Sequence, residues 1–384
     1  MRVMLFTDTL GDVNGVARFI RNSAACALAR GERLEVVTST NFEIPEVANI
    51  RNFEPVMARP MPKYPNLEIV WPPRREMMRA AREFGPDVIH VSTPGSVGMV
   101  GRAAARELGV PLVGVYHTDF PAYIERLFAH ETLTEVTAQT MRWFYRPFEV
   151  VLARSRTYAA GLGWLGAKRL STFRPGIMLE EFGPSHRSEE VILSLGGSPG
   201  AVRALFVGRV SVEKNTPLLE HAWVAARHEL EKRGVRAELV MVGDGPDLAR
   251  LKTTLAHQGV VFAGFRKGVE LARLYASCDL LVFPSVTDTL GQVVLEAQAS
   301  GLPVLVSTVG GPSEVMKHGE TGLALAPVEA AWTRALVELM GERGRLAAMG
   351  RAALANAAEY SFEHSFEDWW RVHREVKEGA VRAG

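Results

Sequence analysis

Short apolar runs alternate with longer amphipathic stretches along the whole chain. At the start, the run RVMLFT (residues 2–7) leads through a glycine-bearing loop into a helix predicted from about Val16 to Arg30. Gly31 ends that helix, and a second apolar run, LEVVTS (residues 34–39), follows. Continuous apolar runs of this length are typical of strands buried on both faces of a parallel sheet. The beginning of the chain therefore predicts a βαβ unit.

The alternation of strand and helix continues to the end of the chain in two blocks. A turn-rich segment at residues 173–200 separates them and is predicted to be an interdomain linker. We therefore expect the α/β class, with two doubly wound, Rossmann-like parallel sheets. The predicted domains are 1–174 and 175–360, and a helix is expected in 361–384. Further strands are predicted at 86–93, 110–118 and 150–155 in the first block, and at 204–210, within 237–246, and at 260–265, 281–284 and 303–307 in the second.

The stretch PSVTDTLGQVVLEAQASG, residues 284–301, is predicted to be a loop and a helix that follow a buried strand. Backbone N–H groups at such a helix start have no partners within the helix, and with the helix dipole they attract anions. Asp288 and Glu296 lie in this stretch, and a carboxylate is not suited to contact a phosphate. We expect both to accept hydrogen bonds from hydroxyl groups, which a nucleotide sugar carries on both sides of its diphosphate. An ordinary turn with two solvated acids explains the same spacing equally well.

Two cations follow the strand that is predicted to open the second domain. Arg209 and Lys214 lie in GRVSVEKN, just past the carboxyl end of that strand. Arginine offers a planar fork of donors and lysine a point charge, so the pair can hold one diphosphate from two sides. Two surface cations on a polar loop are the alternative.

His117 and Asp119 occupy the corresponding position in the first domain, at the carboxyl end of the strand predicted at 110–118. Open parallel sheets place their ligand residues at this edge. A polar ligand contact is therefore one interpretation of the two side chains. A histidine that is satisfied within the core is the other interpretation of His117.

Several familiar kinds of site are missing from the sequence. It has no G-x-G-x-x-G fingerprint near Gly15, no G-x-S-x-G elbow that joins a predicted strand to a helix and no Walker A motif, which argues against nicotinamide enzymes, serine hydrolases and P-loop kinases. GDGPD, residues 243–247, is predicted to be a turn that opens a helix with Pro246 at its first position. No other acids or histidines have the spacing of metal ligands, so we predict no metal.

Composition agrees with this picture and adds a few limits. A chain of 384 residues is too long for one typical core and suits two domains. A formal charge of +1 argues against a general nucleic-acid binder. Cys26 and Cys278 lie far apart and are expected to be reduced, buried thiols. The sequence shows neither a signal peptide nor eighteen consecutive apolar residues, so we expect a cytoplasmic location.

Taken together, these residues resemble glycosyltransferase family 4. Its motifs occur in order along nearly the whole chain: VNGVAR, YHTDFPAY, RPGIMLEEFGP, VGRVSVEKN, VGDGP, VFAGF, PSVTDTLGQVVLEAQASGLPV and GGPSEV. Members of the family are retaining, nucleotide-sugar-dependent enzymes of the GT-B fold, in which two Rossmann-like domains face each other across a cleft. The resemblance implies that 1–174 is the acceptor side, that 175–360 holds the donor, and that the helix in 361–384 packs back on the first domain.

The resemblance also implies a role for each candidate residue. Arg209 and Lys214 would bind the donor diphosphate and stabilise the charge left on it. Asp288, where the family usually has glutamate, would contact the sugar hydroxyls, and Glu296 would hold the ribose. His117 would lie beside the transferred sugar. The other positions implied for donor binding are Gly15, Phe265, Thr289, Leu290, Gly291, Gln292 and Val293.

The mechanism implied by the resemblance is same-face attack with retention, without a metal or a protein nucleophile. The β-phosphate oxygen would be the base for the acceptor hydroxyl. The expected function is transfer of a mannose- or glucose-type hexose from a nucleotide sugar to a lipid, a glycan or a small molecule. GDP-mannose is slightly preferred over a UDP-sugar as the expected donor. No cofactor besides this donor is expected. The family often reads G-V-D where this chain has Gly176-Ile177-Met178, so the role of that aspartate is not carried over.

A basic stretch bears on the acceptor. Arg74 to Arg82 form a predicted amphipathic helix with methionines, and Arg142, Arg146, Arg154 and Arg156 add further charge. Such a surface would suit an anionic membrane and a lipid acceptor, with the protein peripheral on the inner face of the membrane. A solvated helix face with its methionines in the core is the alternative.

Two rival functions remain open from the sequence. A nucleotide-sugar epimerase shares the fold and the need for phosphate binding, but it should show more acids and histidines able to exchange protons. A non-catalytic nucleotide-sugar sensor should lack the equivalents of Arg209, Lys214 or Glu296, and all three are present.

Overall fold

The computed structural model describes residues 1–11, 15–61, 64–117, 121, 130–288 and 290–383. The chain divides into two compact units. The first unit comprises Met1–Arg174 and Ser365–Gly384, and the second comprises Pro175–His364.

The first unit is built on a parallel sheet of seven strands in the order β3-β2-β1-β6-β7-β8-β9. Its central strands are fully buried apolar runs, which is why the sequence predicted them. The edge strands β3 and β9 were not predicted, because their half-exposed sequences IRN and RLST have no apolar run. The strands of this sheet are β1 (Arg2–Phe6), β2 (Arg33–Thr38), β3 (Ile50–Asn52), β6 (Val88–Val91), β7 (Leu112–Tyr116), β8 (Val150–Ala153) and β9 (Arg169–Thr172), and an antiparallel pair is formed by β4 (Met57–Met61) and β5 (Tyr64–Trp71).

Helices connect these strands and cover the sheet with apolar side chains. In α2, for example, Met77 and Met78 are buried in the core of the unit while the arginines are exposed. The described helices of the first unit are α1 (Gly15–Ala29), α2 (Arg74–Phe84), α3 (Ser96–Leu108), α4 (Glu131–Tyr145) and α5 (Arg156–Ala160).

The C-terminal helix, Phe362–Ala383, packs on the first unit through buried rings. Trp369 meets Phe19 edge-on, with the ring centroids 6.0 Å apart. His373 Nδ1 lies 2.8 Å from the Trp369 carbonyl oxygen, and His373 Nε2 lies 2.9 Å from His90 Nδ1. Because a carbonyl can only accept, His373 carries its proton on Nδ1 and accepts the proton of His90 Nδ1. Both histidines are therefore neutral.

The second unit repeats the same topology with a parallel sheet of six strands in the order β12-β11-β10-β13-β14-β15. This order and that of the first sheet confirm the predicted fold class of two doubly wound α/β domains. The strands are β10 (Val202–Val207), β11 (Ala237–Val242), β12 (Val260–Gly264), β13 (Leu280–Phe283), β14 (Val304–Ser307) and β15 (Gly322–Leu325). The helices are α6 (Glu189–Leu193), α7 (Thr216–Lys232), α8 (Leu248–Thr254), α9 (Gly268–Ala276), α10 (Gln292–Ala299), α11 (Glu329–Gly341) and α12 (Arg343–Ala358).

The prediction of a linker over residues 173–200 is wrong for most of that segment. Ile177 and Ile192 are buried in the core of the second unit. Glu189 accepts two hydrogen bonds from the guanidinium of Arg203, at 2.8 and 2.6 Å. The polar, turn-rich composition misled the prediction because the partners of these residues lie elsewhere in the chain.

Two smaller predictions also need correction. GGPSEV, residues 310–315, follows a predicted strand, and its sequence predicts a helix start whose amides either complete a ligand pocket or only make a turn. It forms a 3₁₀ helix of five residues, Gly311–Val315, and not an α-helix. Helix α8 begins at Leu248, so Pro246 precedes the helix by two positions instead of taking its first position. Helix ends are the least certain feature of a sequence pattern, since they depend on one or two residues.

The neutral histidine pair makes the stability of the first unit depend on pH. Burial lowers the pKa of His373 to about 4 and places that of His90 well below its usual range. Between pH 4 and about 6.5 the unfolded chain therefore binds more protons than the folded chain, so the free energy of unfolding falls as the solution is acidified. Each histidine contributes a slope of about 1.4 kcal/mol per pH unit in that window.

We expect His373→Gln to lose part of this dependence, because the amide of glutamine does not titrate. The measurement is urea unfolding of the variant and the unchanged chain at pH 7 and pH 5. The control is His228→Gln, which changes an exposed histidine of α7 in the second unit and should leave the slope unchanged. Identical slopes for His373→Gln and the unchanged chain would show that the pair does not titrate on unfolding.

Candidate functional site

The candidate site of the second unit lies where the order of its strands reverses. Strand β10 pairs with β11 on one side and with β13 on the other. The connections that leave β10 and β13 therefore run to opposite sides, and a crevice opens between their loops at the carboxyl edge of the sheet. Lys214 follows β10 in the 3₁₀ helix Val212–Lys214, and Asp288 follows β13.

The structure brings Lys214 and Asp288 into direct contact. The Lys214 ammonium donates to both carboxylate oxygens of Asp288, at 2.8 Å each. A second bond joins the same two loops, from Thr287 Oγ1 to the Glu213 carbonyl oxygen at 3.2 Å. The side chains of Lys214 and Asp288 are 19% and 23% exposed. The cation predicted for the phosphate and the acid predicted for the sugar thus neutralise each other at the surface of the crevice.

Arg209 lies at the same edge and is far more exposed. Its side chain is 62% exposed, and Nη1 lies 3.7 Å from the Glu213 carboxylate. An exposed pair at this distance contributes little free energy. The planar donor fork of Arg209 therefore remains accessible to a ligand.

The start of α10 presents its first backbone N–H groups at this edge. Gly291 is the residue before the helix, and its carbonyl accepts from Val294 and Leu295. A Cβ at Gly291 would lie 2.8 Å from Pro312 Cα, so only glycine allows the two backbones to pass this closely. Of the other positions implied for the donor here, Leu290, Gln292 and Val293 are half-buried, and Thr289 lies outside the described residues.

The GGPSEV turn supports the loop that carries Asp288. The Gly311 amide donates to the Asp288 carbonyl at 2.8 Å. Gly310 has φ +96, a conformation that favours glycine. The turn therefore fixes the backbone of the acidic residue, a role that the sequence left undecided.

Glu296 points away from solvent and is held by a tyrosine. Its Oε2 accepts from the Tyr275 hydroxyl at 2.9 Å, and both side chains are buried. Sequence reasoning missed Tyr275, because it lies on α9, twenty-one positions before Glu296. The position of Tyr275 in an apolar helix just before a strand gave no sign of this contact.

Phe265 lies at the carboxyl edge but away from the reversal point. It follows β12, three places from β13 in the sheet order, and its side chain is 63% exposed. Among the described contacts none joins it to Lys214 or Asp288. Gly15 begins α1 in the first unit, and a Cβ there would meet no atom within 4 Å, so packing inside that unit does not require a glycine.

His117 is found at the carboxyl end of β7, as predicted, while Asp119 lies outside the described residues. His117 Nε2 lies 3.3 Å from Ser92 Oγ. Burial, and secondarily the charge of Arg154, lowers the pKa of His117 to about 3. The imidazole is therefore neutral at pH 7.

The structure corrects the expectation that Arg154 belongs to a membrane-facing surface. It follows β8, and its guanidinium carbon lies 5.0 Å from the ring centroids of both Phe19 and Phe173. Burial lowers the pKa of Arg154 to about 10, so the guanidinium is still charged at neutral pH. A fixed cation thus lies among aromatic rings near His117, inside the first unit.

Asp8, which follows β1, is a second polar residue that sequence reasoning passed over. Its carboxylate accepts from the amides of Val97 and Gly98 at 2.7 and 3.2 Å, and from Thr93 Oγ1 at 2.8 Å. It thereby caps the start of α3 from another loop. Burial raises the pKa of Asp8 against the effect of these bonds. An acid directly after the first strand was the available signal.

The basic stretch from Arg74 to Arg82 lies on α2, which is an amphipathic helix as predicted. Arg74, Arg75 and Arg79 are exposed, whereas Met77 and Met78 lie in the core. In the described part of the chain, no helix is long and apolar enough to cross a membrane. The same residues also contain no group of three His, Cys, Asp or Glu side chains that is arranged to hold a metal ion.

Two family models match the chain. Residues 13–181 match the family described as Glycosyltransferase Family 4, and residues 201–342 match Glycosyl transferases group 1. The chain is 30% identical over 378 residues to sulfoquinovosyl transferase SQD2 of Arabidopsis thaliana, covering 94% of this chain and 71% of the relative. It is 38% identical over 307 residues to a GDP-mannose-dependent alpha-mannosyltransferase of Mycobacterium tuberculosis, covering 78% of this chain and 76% of the relative.

Solved structures support the fold. The sucrose-phosphate synthase of Thermosynechococcus elongatus has a TM-score of 0.73 at 18% identity, over 99% of this chain and all of that one. HepE of Anabaena, in complex with UDP and glucose, has a TM-score of 0.69 at 18% identity, over 99% of each chain. The predicted family and GT-B fold are confirmed, and the chain belongs to glycosyltransferase family 4.

Proposed function

We propose that this glycosyltransferase moves a mannose- or glucose-type hexose from a nucleotide sugar to a hydroxyl of a lipid, glycan or small-molecule acceptor, with retention of configuration. GDP-mannose is the proposed donor. The contact between Lys214 and Asp288 carries the proposal, because it joins a phosphate-binding cation to a hydroxyl-binding acid at the crevice of the sheet. Relatives from three organisms are named GDP-mannose-dependent alpha-mannosyltransferases, which supports this donor.

Arg209, Lys214 and the first N–H groups of α10 are proposed to bind the donor diphosphate. Negative charge grows on this group as the bond between the sugar C1 and the phosphate oxygen breaks. Donors that are already in position stabilise that charge without reorganising during the reaction. The ion pair with Asp288 prepares Lys214 for this role, because it holds a long and flexible side chain at the crevice.

Asp288 is proposed to accept hydrogen bonds from the sugar hydroxyls, and Glu296 to accept them from the ribose. When the diphosphate binds, the Lys214 ammonium donates hydrogen bonds both to the diphosphate and to Asp288. One carboxylate oxygen of Asp288 then becomes available to the sugar hydroxyls. The Tyr275 hydroxyl positions the carboxylate of Glu296. Aspartate has a shorter arm than the glutamate usual in the family, so we propose that Asp288 contributes to the choice of sugar.

His117 is proposed to hydrogen-bond the transferred sugar on the acceptor side as a neutral imidazole. Its pKa of about 3 means that it adds no charge near the reacting carbon at neutral pH. The proton of the acceptor hydroxyl is proposed to pass to the β-phosphate oxygen of the departing nucleotide. The new bond joins the acceptor oxygen to C1, and the pair of electrons of the broken bond stays with the phosphate.

A lipid acceptor would bring the protein to a membrane surface. We propose that the exposed arginines of α2, with the half-exposed Trp71 just before them, make this peripheral contact. Basic residues attract anionic headgroups, and tryptophan suits the boundary between headgroups and acyl chains.

We expect Lys214→Ala to reduce sugar transfer by at least a hundredfold while the chain stays folded. The loss follows from the removal of a donor to the leaving diphosphate, a type of interaction that contributes about two to three orders of magnitude. Transfer is measured with GDP-mannose as donor and folding by thermal unfolding. The matched control is Lys232→Ala, which removes an exposed lysine that also pairs with a carboxylate, that of Glu229 at 2.8 Å. Near-normal turnover of Lys214→Ala would refute its assignment to the diphosphate.

We expect GDP to raise the temperature of unfolding more than UDP or ADP at equal concentration. A ligand that binds only the folded chain stabilises it by about 2.7 kcal/mol at a hundred times its Kd. Thermal unfolding of the unchanged chain and of Lys214→Ala with each nucleotide gives the measurement. A larger shift with UDP or ADP would contradict the proposed donor but not the phosphate site, whereas equal shifts in both proteins would contradict the phosphate site.

We expect chelation of divalent ions to leave transfer unchanged. The positive charge for the leaving diphosphate comes from Arg209, Lys214 and the helix amides in the proposed mechanism. The rate is measured after dialysis against EDTA, with and without added magnesium or manganese. A strict requirement for added metal would refute metal-independent transfer.

A further inference from the structure

A cavity of about 730 Å³ lies in the first unit, away from His117. It is formed by the ends of α2, α3 and α4 and by the start of β7. Leu112 lines it at the amino end of β7, whereas His117 follows the carboxyl end of the same strand. At ~3.3 Å per residue the two are about 16 Å apart, so the cavity lies at the opposite edge of the sheet.

An arginine is held in an unusual setting in this cavity. The guanidinium carbon of Arg102 lies 4.0 Å from the ring centroid of Trp143, so the two planar groups are in contact. Arg102 Nη1 is buried and has no hydrogen-bond partner among the described residues. Burial and the neighbouring charge of Arg106 both lower the pKa of Arg102, which shows a positive charge that is not compensated.

The charges that line the cavity do not balance. Arg102 and Arg106 are four positions apart on α3 and therefore share a face, and Arg74 at the start of α2 adds a third cation. In the described part of the chain, none of the three arginines has a carboxylate within ion-pair distance.

The two acids that line the cavity already form ion pairs with cations outside the cavity lining. Glu107 accepts from Arg82 at 2.6 Å, and Glu149 accepts from Lys168 at 2.6 Å. Each of these pairs is close to neutral. The cavity therefore keeps the positive charge of its three arginines.

We propose that this cavity binds a phosphate-bearing ligand whose remaining part is apolar or aromatic. The fork of an arginine that lies over an indole ring fits two oxygens of one phosphate, and a second arginine on the same helix face supplies the second charge of a dianion. The volume exceeds the needs of an inorganic ion and lies in the range of small-molecule sites. Met99, Val110 and Trp143 offer apolar surface for the rest of the ligand.

The shared chemistry is a phosphate ester, and two sources can present it. One is a soluble phosphomonoester, and the other is the headgroup of an anionic phospholipid. Neither source requires the transfer reaction, so this inference goes beyond the proposed function and does not depend on it.

The test is isothermal titration calorimetry, in which phenyl phosphate is titrated into the full chain carrying Arg209→Ala and Lys214→Ala. These two changes remove the proposed diphosphate site, so that binding there does not contribute. We expect saturable binding that Arg102→Gln and Arg106→Gln each weaken at least tenfold in the same background. Arg106 is exposed and unpaired among the described residues, so its variant is expected to fold even if Arg102→Gln does not.

The matched control is Arg33→Gln, which removes an exposed arginine at the start of β2 that does not line the cavity. It should leave the affinity for phenyl phosphate unchanged. A parallel arm measures co-sedimentation with vesicles of phosphatidylglycerol and of phosphatidylcholine. Binding to phosphatidylglycerol that depends on Arg106 identifies a lipid headgroup as the source, and binding of phenyl phosphate alone identifies a soluble ester.

Two results would overturn the proposal. One is the absence of saturable binding in both arms. The other is binding that Arg106→Gln and Arg33→Gln affect equally, because a general attraction to basic surface would then explain it. Transfer activity of the chain with Arg209 and Lys214 intact is measured separately, so failure of the cavity and failure of the transferase mechanism give different results.

Discussion

The reversal of strand order beside β10 is the constraint on which the candidate site depends. Since β11 and β13 flank β10 on opposite sides, the chain that leaves β10 and the chain that leaves β13 must separate. Lys214 and Asp288 meet across the crevice between these loops, although 74 positions separate them. The turn at Gly310 and Gly311 then secures the Asp288 backbone, and the first amides of α10 complete the polar edge.

Two groups of paired charges in the second unit, around Arg203 and around Lys214, differ in their exposure. Arg203 is 1% exposed and donates to Glu189, to Glu238 and to the Ser198 carbonyl. Breaking such a buried set leaves uncompensated charge, so its geometry is fixed. Lys214 and Asp288 are about one-fifth exposed, and water can reach both. Separating this pair costs less than separating a buried one, as the proposed binding and release of a donor diphosphate requires.

In the first unit, too, burial and neighbouring groups determine the charge of each ionisable side chain. His90, His117 and His373 stay neutral because burial opposes their protonation. Arg154 keeps its charge among aromatic rings, and the Asp8 carboxylate accepts hydrogen bonds from the amides at the start of α3. Arg102 resembles Arg154, because it also lies over an aromatic ring and has no carboxylate partner among the described residues. It differs in lining a cavity together with Arg74 and Arg106, and a cleft lined by charges of one sign attracts ligands of the opposite charge.

The amino-acid sequence alone determined the two parallel sheets and the positions of Arg209, Lys214, His117 and Asp288 after their strands. These features follow from local periodicity, which depends only on residues within a few positions of each other. The family was also evident, since its motifs occur in order. Only the tertiary structure decided which of these groups touch. Tyr275 on Glu296, Asp8 on α3, and Ile177 and Ile192 in the core are all contacts between distant parts of the chain, and local patterns carry no information about them.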